Sequence, residues 1–210
     1  MRPNIRDLEP YAGGIQVSEF DKYIKINQNE FPYPPAPKVR HTLEKYAKEG
    51  PINRYPDGEY RELKKAIAKY HKVKPEQITV GNGSDQVLFH TWLTYINPRD
   101  TVVLPDPEYS MPPLHSKLQN AKVKKVKLNP DFTLPTEEII KRKGKITFFS
   151  IPNAPIGTLT LIKEIKKIIR KLKPHGLVLI DGAYIDFAPP KYRDSIISLV
   201  RKYSNVLYIT

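Results

Sequence analysis

Apolar positions change their spacing along this chain, and each change marks an element. Val39, Leu43 and Tyr46 recur at helical intervals behind Pro37, a residue suited to a first helical turn, so the pattern predicts a helix over 37–48. Gly50-Pro51 breaks it, and Leu63, Ile67 and Tyr70 predict a second helix. The spacing then alternates. Ile78-Thr79-Val80 is a short β-rich run that enters Gly81-Asn82-Gly83-Ser84-Asp85, and the apolar segment from Val87 to Ile96 reads as a buried helix. Further strands are expected at Thr101 to Leu104, Val123 to Leu128, Ile146 to Ser150, Leu177 to Ile180 and Val206 to Ile209. Helical stretches at 108–119, 135–142, 160–173 and 192–202 separate several of these strands. Strands joined by helices pair largely in parallel through right-handed crossovers, which predicts an α/β fold with helices on both faces of a mostly parallel sheet, a three-layer α/β/α domain.

Residues 1–36 differ. Pro32, Pro34, Pro35 and Pro37 argue against any helix there, so 1–36 reads as an ordered arm ahead of a domain over 37–210. The chain stops directly after the Val206 to Ile209 pattern, at the strand end where such folds place ligands. On this reading the domain is incomplete at its C-terminal end.

Composition narrows the possibilities. A chain of 210 residues with 40% hydrophobic content can bury a substantial core. With no cysteine, disulfide frameworks, thiolate metal sites and thiol nucleophiles are all excluded. The first residues carry charge where a signal peptide needs an apolar run, and no apolar stretch approaches the ~20 residues of a membrane span, so the expectation is a cytoplasmic protein without membrane partners. Lys+Arg number 35 against 22 Asp+Glu, a formal charge of +13. A nucleic-acid surface is one reading. The other is solvated helix faces, such as Lys163, Lys166, Lys167, Arg170, Lys171 and Lys173 turned away from Ile165, Ile168, Ile169 and Leu172. No nucleic-acid-binding signature accompanies the charge, so no nucleic-acid partner is expected. His41, His71, His90, His115 and His175 are scattered without metal-ligand spacing, and Ser84 lies in no GxSxG elbow.

Three local features carry chemistry. In the GNGSD turn at 81–85, glycines let backbone N–H groups approach an anion at a helix N-terminus; the local sequence equally fits a Ser or Asp capping the helix after a tight turn. Asp181 follows the apolar run Gly176 to Ile180, so its carboxylate stands at the end of a buried strand, where a charge needs a partner; the local sequence fits an Asp capping the next turn at least as well. Tyr109, just beyond another strand end, and Tyr184, three residues after Asp181, each offer an aromatic face and a hydroxyl to a planar ligand, and ordinary packing accounts for either one taken alone.

Together these features sit inside six ordered blocks: RPNIRDLEPYAGG, INQNEFPYPPAP, NRYPDGEYRELKKAIA, ITVGNGSDQVL, DTVVLPDPEYSM and LVLIDGAYIDF. In order and spacing they resemble the histidinol-phosphate aminotransferases, members of the fold-type I pyridoxal-phosphate-dependent aminotransferases, over essentially the whole chain. The resemblance implies pyridoxal phosphate as cofactor, with its phosphate held by Gly83, Ser84 and Asp85. It further implies Tyr109 stacked on the pyridine ring, Asp181 paired with the ring N–H and Tyr184 hydrogen-bonded to the phenolic oxygen. Tyr55 would reach the phosphate of a neighbouring subunit's cofactor in a homodimer, and Asn29 and Tyr33 belong to the arm that covers the substrate. The implied reaction moves an amino group between histidinol phosphate, or a similar phosphorylated amino substrate, and a 2-oxo acid such as 2-oxoglutarate. A threonine-phosphate decarboxylase shares much of the pattern, and a non-catalytic remnant or dimerisation partner is the alternative of another kind.

The sequence departs from that pattern at named positions. Where the family has NPNNPTG, this chain has Ile151-Pro152-Asn153-Ala154-Pro155-Ile156-Gly157, so the asparagine before PTG falls on Ala154 and Asn153, one step earlier, is the retained cofactor-side candidate. Gly182 stands where the family has Glu, and Phe31 where it has Asn. No residue matches the family's Schiff-base lysine, so no catalytic residue is assigned, and the chain as written is expected to hold the cofactor only noncovalently.

Overall fold

The computed structural model describes residues 3–6, 8, 14–16 and 22–210. Most of the RPNIRDLEPYAGG block therefore lies outside the described residues. Two compact units divide the chain: Asp7–Tyr60, and Arg61–Thr210 joined by Met1–Arg6. The helix after Pro37 belongs with the first.

In the larger unit, strands β1 (Thr101–Asp106), β2 (Lys122–Lys127), β3 (Ile146–Ser150), β4 (Leu177–Asp181) and β5 (Val206–Ile209) form one sheet in the order β2-β1-β3-β4-β5. Every pairing is parallel. The helices of the chain are α1 (Pro3–Arg6), α2 (Pro37–Glu49), α3 (Arg61–His71), α4 (Gly83–Tyr95), α5 (Met111–Leu118), α6 (Thr136–Arg142), α7 (Ile162–Leu172) and α8 (Pro190–Lys202). Successive strand residues point to opposite faces. Val102, Leu104, Phe148 and Leu179 accordingly pack with Leu88 and Trp92 of α4, while Val103, Phe149, Val178 and Ile180 pack with α6, α7 and α8. Two apolar layers on one parallel sheet are the expected three-layer α/β/α arrangement.

Helix α7 shows how the sequence makes this happen. Ile165, Ile168, Ile169 and Leu172 fall on one face and are buried, each contributing roughly 2 kcal/mol. Lys163, Lys166, Lys167, Arg170 and Lys171 fall on the exposed face. Part of the positive charge thus lies on one exposed helix face.

Two expectations need correction. Prolines do not keep 1–36 free of helix: Pro3–Arg6 forms one turn, because Pro3 occupies a first helical position where its missing N–H costs nothing. Asn4 Nδ2 then donates to the carbonyls of Lys117 (3.1 Å) and Leu118 (3.0 Å), docking this turn on α5. Ile78 to Val80 is not a strand either, since no strand among the described residues pairs with it. A β-rich run becomes a strand only through its partner.

The sheet has two unlike edges. On β2, Lys122, Lys124, Lys125 and Lys127 are exposed, and Lys125 reaches Asp106 at 3.1 Å. Beside β5 lies a cavity of about 400 Å³, lined in part by Ile67, Ile78, Val80, Val87, Ile197 and Tyr208. Among the described residues no helix is long and apolar enough to cross a membrane.

Candidate functional site

The carboxyl ends of β1, β3 and β4 and the start of α4 converge on one set of polar side chains. Ser150 and Asp181 are register partners at the ends of β3 and β4, and Glu108 and Tyr109 follow the end of β1. From α4 comes Asp85, whose Oδ1 accepts the Tyr109 hydroxyl at 2.8 Å.

Helix α4 begins at Gly83 with φ +73°, a left-handed conformation that costs a residue with a Cβ about 1–2 kcal/mol. The N-cap Asn82 makes no side-chain cap; instead its own N–H donates to Gln86 Oε1 at 2.6 Å. First-turn N–H groups of a helix have no intrahelical partner. The turn at Gly83, Ser84 and Asp85 therefore presents amide donors with the positive end of the helix dipole behind them.

Asp181 is buried at 5% exposure and pushed above the usual carboxylate range by that burial, with the Ala183 N–H (2.9 Å to Oδ1) pulling the other way and Asp85 adding to the rise. Among the described residues no cationic side chain contributes to its electrostatics. A buried carboxylate facing another carboxylate fits a ligand that brings a positive N–H.

Sequence reasoning missed Glu108. Its Oε1 accepts the Tyr109 N–H at 2.9 Å and the Ser150 hydroxyl, and its Oε2 accepts the Ser150 N–H at 2.9 Å and Asn153 Nδ2 at 3.3 Å. Burial raises its pKa to about 7, the Ser150 and Tyr109 hydrogen bonds oppose the rise, and the charge of Asp181 adds to it. A lone Glu in a proline-rich loop looks like surface; the one available signal was its place just past the end of a buried strand.

The remaining candidates separate. Asn153 is buried, and its amide is engaged at both ends, donating to Glu108 and accepting the Ile156 N–H at 3.3 Å. Tyr184 precedes a short 3-10 turn at Ile185–Phe187, with its ring 6.5 Å from that of Phe187. Asn29, Tyr33 and Tyr55 belong to the Asp7–Tyr60 unit. Tyr33 packs edge-on against Phe31 at 5.5 Å, and Tyr55 is fully exposed.

Gly182 has a physical reason. A Cβ there would lie 2.6 Å from the Tyr208 hydroxyl oxygen and overlap its ring. We expect Gly182→Ala to cost about 1–3 kcal/mol through this overlap, and Tyr208→Ala in the same chain to relieve most of the clash. Thermal denaturation of the two single variants and the double variant checks this; a Gly182→Ala chain that melts with the parent removes the explanation.

Comparison with known proteins places the family and the fold. The family model for aminotransferase class I and II matches residues 21–210, and the chain belongs to that family. Among curated relatives, the histidinol-phosphate aminotransferase of Clostridium botulinum is 39% identical over 204 residues, covering 97% of this chain and 55% of the relative. That of Lactococcus lactis subsp. cremoris is 35% identical over 206 residues, covering 98% and 56%. The chain thus spans just over half the length of the curated relatives it matches. Among solved structures, a histidinol-phosphate aminotransferase from Sinorhizobium meliloti in complex with pyridoxal-5'-phosphate superposes with a TM-score of 0.82 at 21% identity, over 99% of this chain and 57% of that one. A putative histidinol-phosphate aminotransferase from Erwinia carotovora superposes with a TM-score of 0.80 at 25% identity, over 93% and 57%.

Proposed function

We propose that this chain supplies the cofactor-binding part of a pyridoxal-phosphate-dependent aminotransferase that moves an amino group between histidinol phosphate, or a similar phosphorylated amino substrate, and 2-oxoglutarate. The observation that carries the reading is the pairing of an uncapped helix start at Gly83 with a buried carboxylate, Asp181, that no cation among the described residues neutralises. One end suits a phosphate and the other a protonated ring nitrogen. When bound, pyridoxal phosphate supplies an electron-withdrawing ring that stabilises negative charge at the substrate's α-carbon.

The chain's residues divide the remaining work. Gly83, Ser84 and Asp85 bind the phosphate through their amides, and Asp181 holds the proton on the ring nitrogen. Tyr109, fixed by Asp85, covers a ring face and excludes water from it. Tyr184 donates to the phenolic oxygen, and Asn153 shapes the turn beside it. Tyr55 in this reading serves the cofactor of a second copy, with Asn29 and Tyr33 near the substrate. The homodimer this requires is supported by α2, whose Val39, Leu43 and Tyr46 stripe is exposed.

The test is titration with pyridoxal phosphate followed by its visible absorbance, with inorganic phosphate as competitor, and a crystal structure of the complex. The phosphate is expected within hydrogen-bond reach of the Ser84 and Asp85 amides and the ring nitrogen beside Asp181. A phosphate bound reproducibly elsewhere would overturn the reading. Consumption of histidinol phosphate that depends on 2-oxoglutarate tests the substrate assignment separately.

A further inference from the structure

Glu108 is the most heavily engaged acid in the site, and no step of the proposed reaction uses it. Its two oxygens take hydrogen bonds from four donors on two separate segments: the Tyr109 N–H on its own loop, the Ser150 N–H and hydroxyl at the end of β3, and the Asn153 amide in the turn that follows. Ser150 Oγ in turn accepts the Ala154 N–H at 2.8 Å, and the Gly157 N–H closes on the Asn153 carbonyl at 2.6 Å. Backbone bonds from Ile151 N–H to the Asp181 carbonyl (2.7 Å) and from Asn153 N–H to the Thr158 carbonyl (2.9 Å) also hold this turn, but its side-chain anchor is the Glu108 carboxyl, which is bonded to the backbone of Tyr109. Position 154, which has no polar side chain of its own, is held through its backbone.

We propose that Glu108 is a positioning residue that locks the Tyr109 loop to the Ser150–Gly157 turn, and that gain or loss of one proton on its carboxyl sets how tightly the two are held. An ionised carboxylate accepts from all four donors at once; a protonated one carries a donor that must displace one of them. The groups facing it fix where that change falls. Asp181 on β4 opposes ionisation by its charge, Asp85 on α4 accepts the Tyr109 hydroxyl and acts in turn on Asp181, and among the described residues no cationic group offsets them at Glu108. Burial then brings the exchange of the proton close to neutral pH. In the ionised state the turn and Tyr109 are fixed; in the neutral state they loosen. That this fixes Tyr109 against a pyridine ring rests on the function proposed above, whereas the lock itself does not.

The experiment is done on the chain without cofactor. With glutamate carboxyl carbons labelled, the Glu108 resonance is expected to titrate near pH 7, and the Tyr109 ring signals and Ala154 amide to shift with the same midpoint. Amide exchange protection at Ser150 and Tyr109 should fall by about tenfold on going from above to below that midpoint. Glu108→Gln should abolish the midpoint while retaining part of the protection, and Glu108→Ala should lose the protection at every pH. A Glu108 carbon that titrates in the ordinary carboxylate range overturns the proposal without any variant. So does a midpoint in the Tyr109 and Ala154 signals that persists in Glu108→Gln. Failure of pyridoxal phosphate to bind, with the titration as expected, would remove the function proposed and leave the lock intact.

Discussion

Asp181→Asn is expected to weaken pyridoxal phosphate binding by about tenfold to a hundredfold, the worth of a charge-assisted hydrogen bond to a buried anion, while leaving the empty protein at least as stable as before. The asparagine keeps an oxygen for the Ala183 N–H, so the local fold survives, but a neutral amide gives a ring nitrogen no reason to stay protonated. The stability half of the expectation follows from linkage. Burial raises Asp181 in the folded state, so the folded protein binds a proton the unfolded chain has already released. Stability from this group is full below the unfolded value and is lost as pH rises through the folded one. Asp181→Asn lacks that loss, so its melting temperature should fall less between acid and neutral pH than the parent's. Cofactor titrations at pH 8 and melting curves across the acid range read the two halves independently. Equal affinities would sink the role at the ring nitrogen, and parallel melting curves would sink the burial argument.

The largest effect on stability is expected at Phe148. It is fully buried in β3, between β1 and β4, and its ring meets that of Trp92 at 6.3 Å and 65°. Trp92 is itself pinned by Nε1 donating to Ser116 Oγ at 2.9 Å, so neighbouring side chains cannot collapse into the space that a truncation leaves. Phe148→Ala should therefore cost about 3–5 kcal/mol. For a chain of this size that lowers the melting temperature by on the order of 10 °C. Leu93→Ala, half-exposed on the same helix as Trp92, should stay within about 0.5 kcal/mol of the parent. Chemical denaturation of both variants checks the contrast. A Phe148→Ala chain as stable as Leu93→Ala would mean that this layer of the core is not close-packed.

Much of the fold was written in the spacing of apolar residues. The period of Ile165, Ile168, Ile169 and Leu172 announced α7, and the uninterrupted run before Asp181 announced a strand buried on both faces. Local pattern suffices there because each element buries its own stripe. It fails at Ile78 to Val80, whose residues have strand character but no ladder partner, and at Pro3–Arg6, where the position of a proline in the turn matters more than its presence. The site divides in the same way. Asp181 was legible because a charge ending an apolar run is conspicuous, and the GNGSD turn because its glycines are. Glu108 was not, since what distinguishes it is a set of bonds to residues more than forty positions away. Gly182 showed as a departure whose cause, the ring of Tyr208, becomes visible only when β5 lies beside β4.

The two borders of the sheet give it a direction. Along β2 the row of lysines would have to be stripped of water, and set against whatever approached, before any backbone could pair there, which is how proteins keep a strand from recruiting neighbours. The β5 border carries no such row of lysines: Tyr208 and Ile209 border a hollow that Ile67, Ile78, Thr79 and His71 of the same chain also line. Lateral growth of this sheet is therefore disfavoured along β2, where a second backbone would first have to displace the water around four ammonium groups.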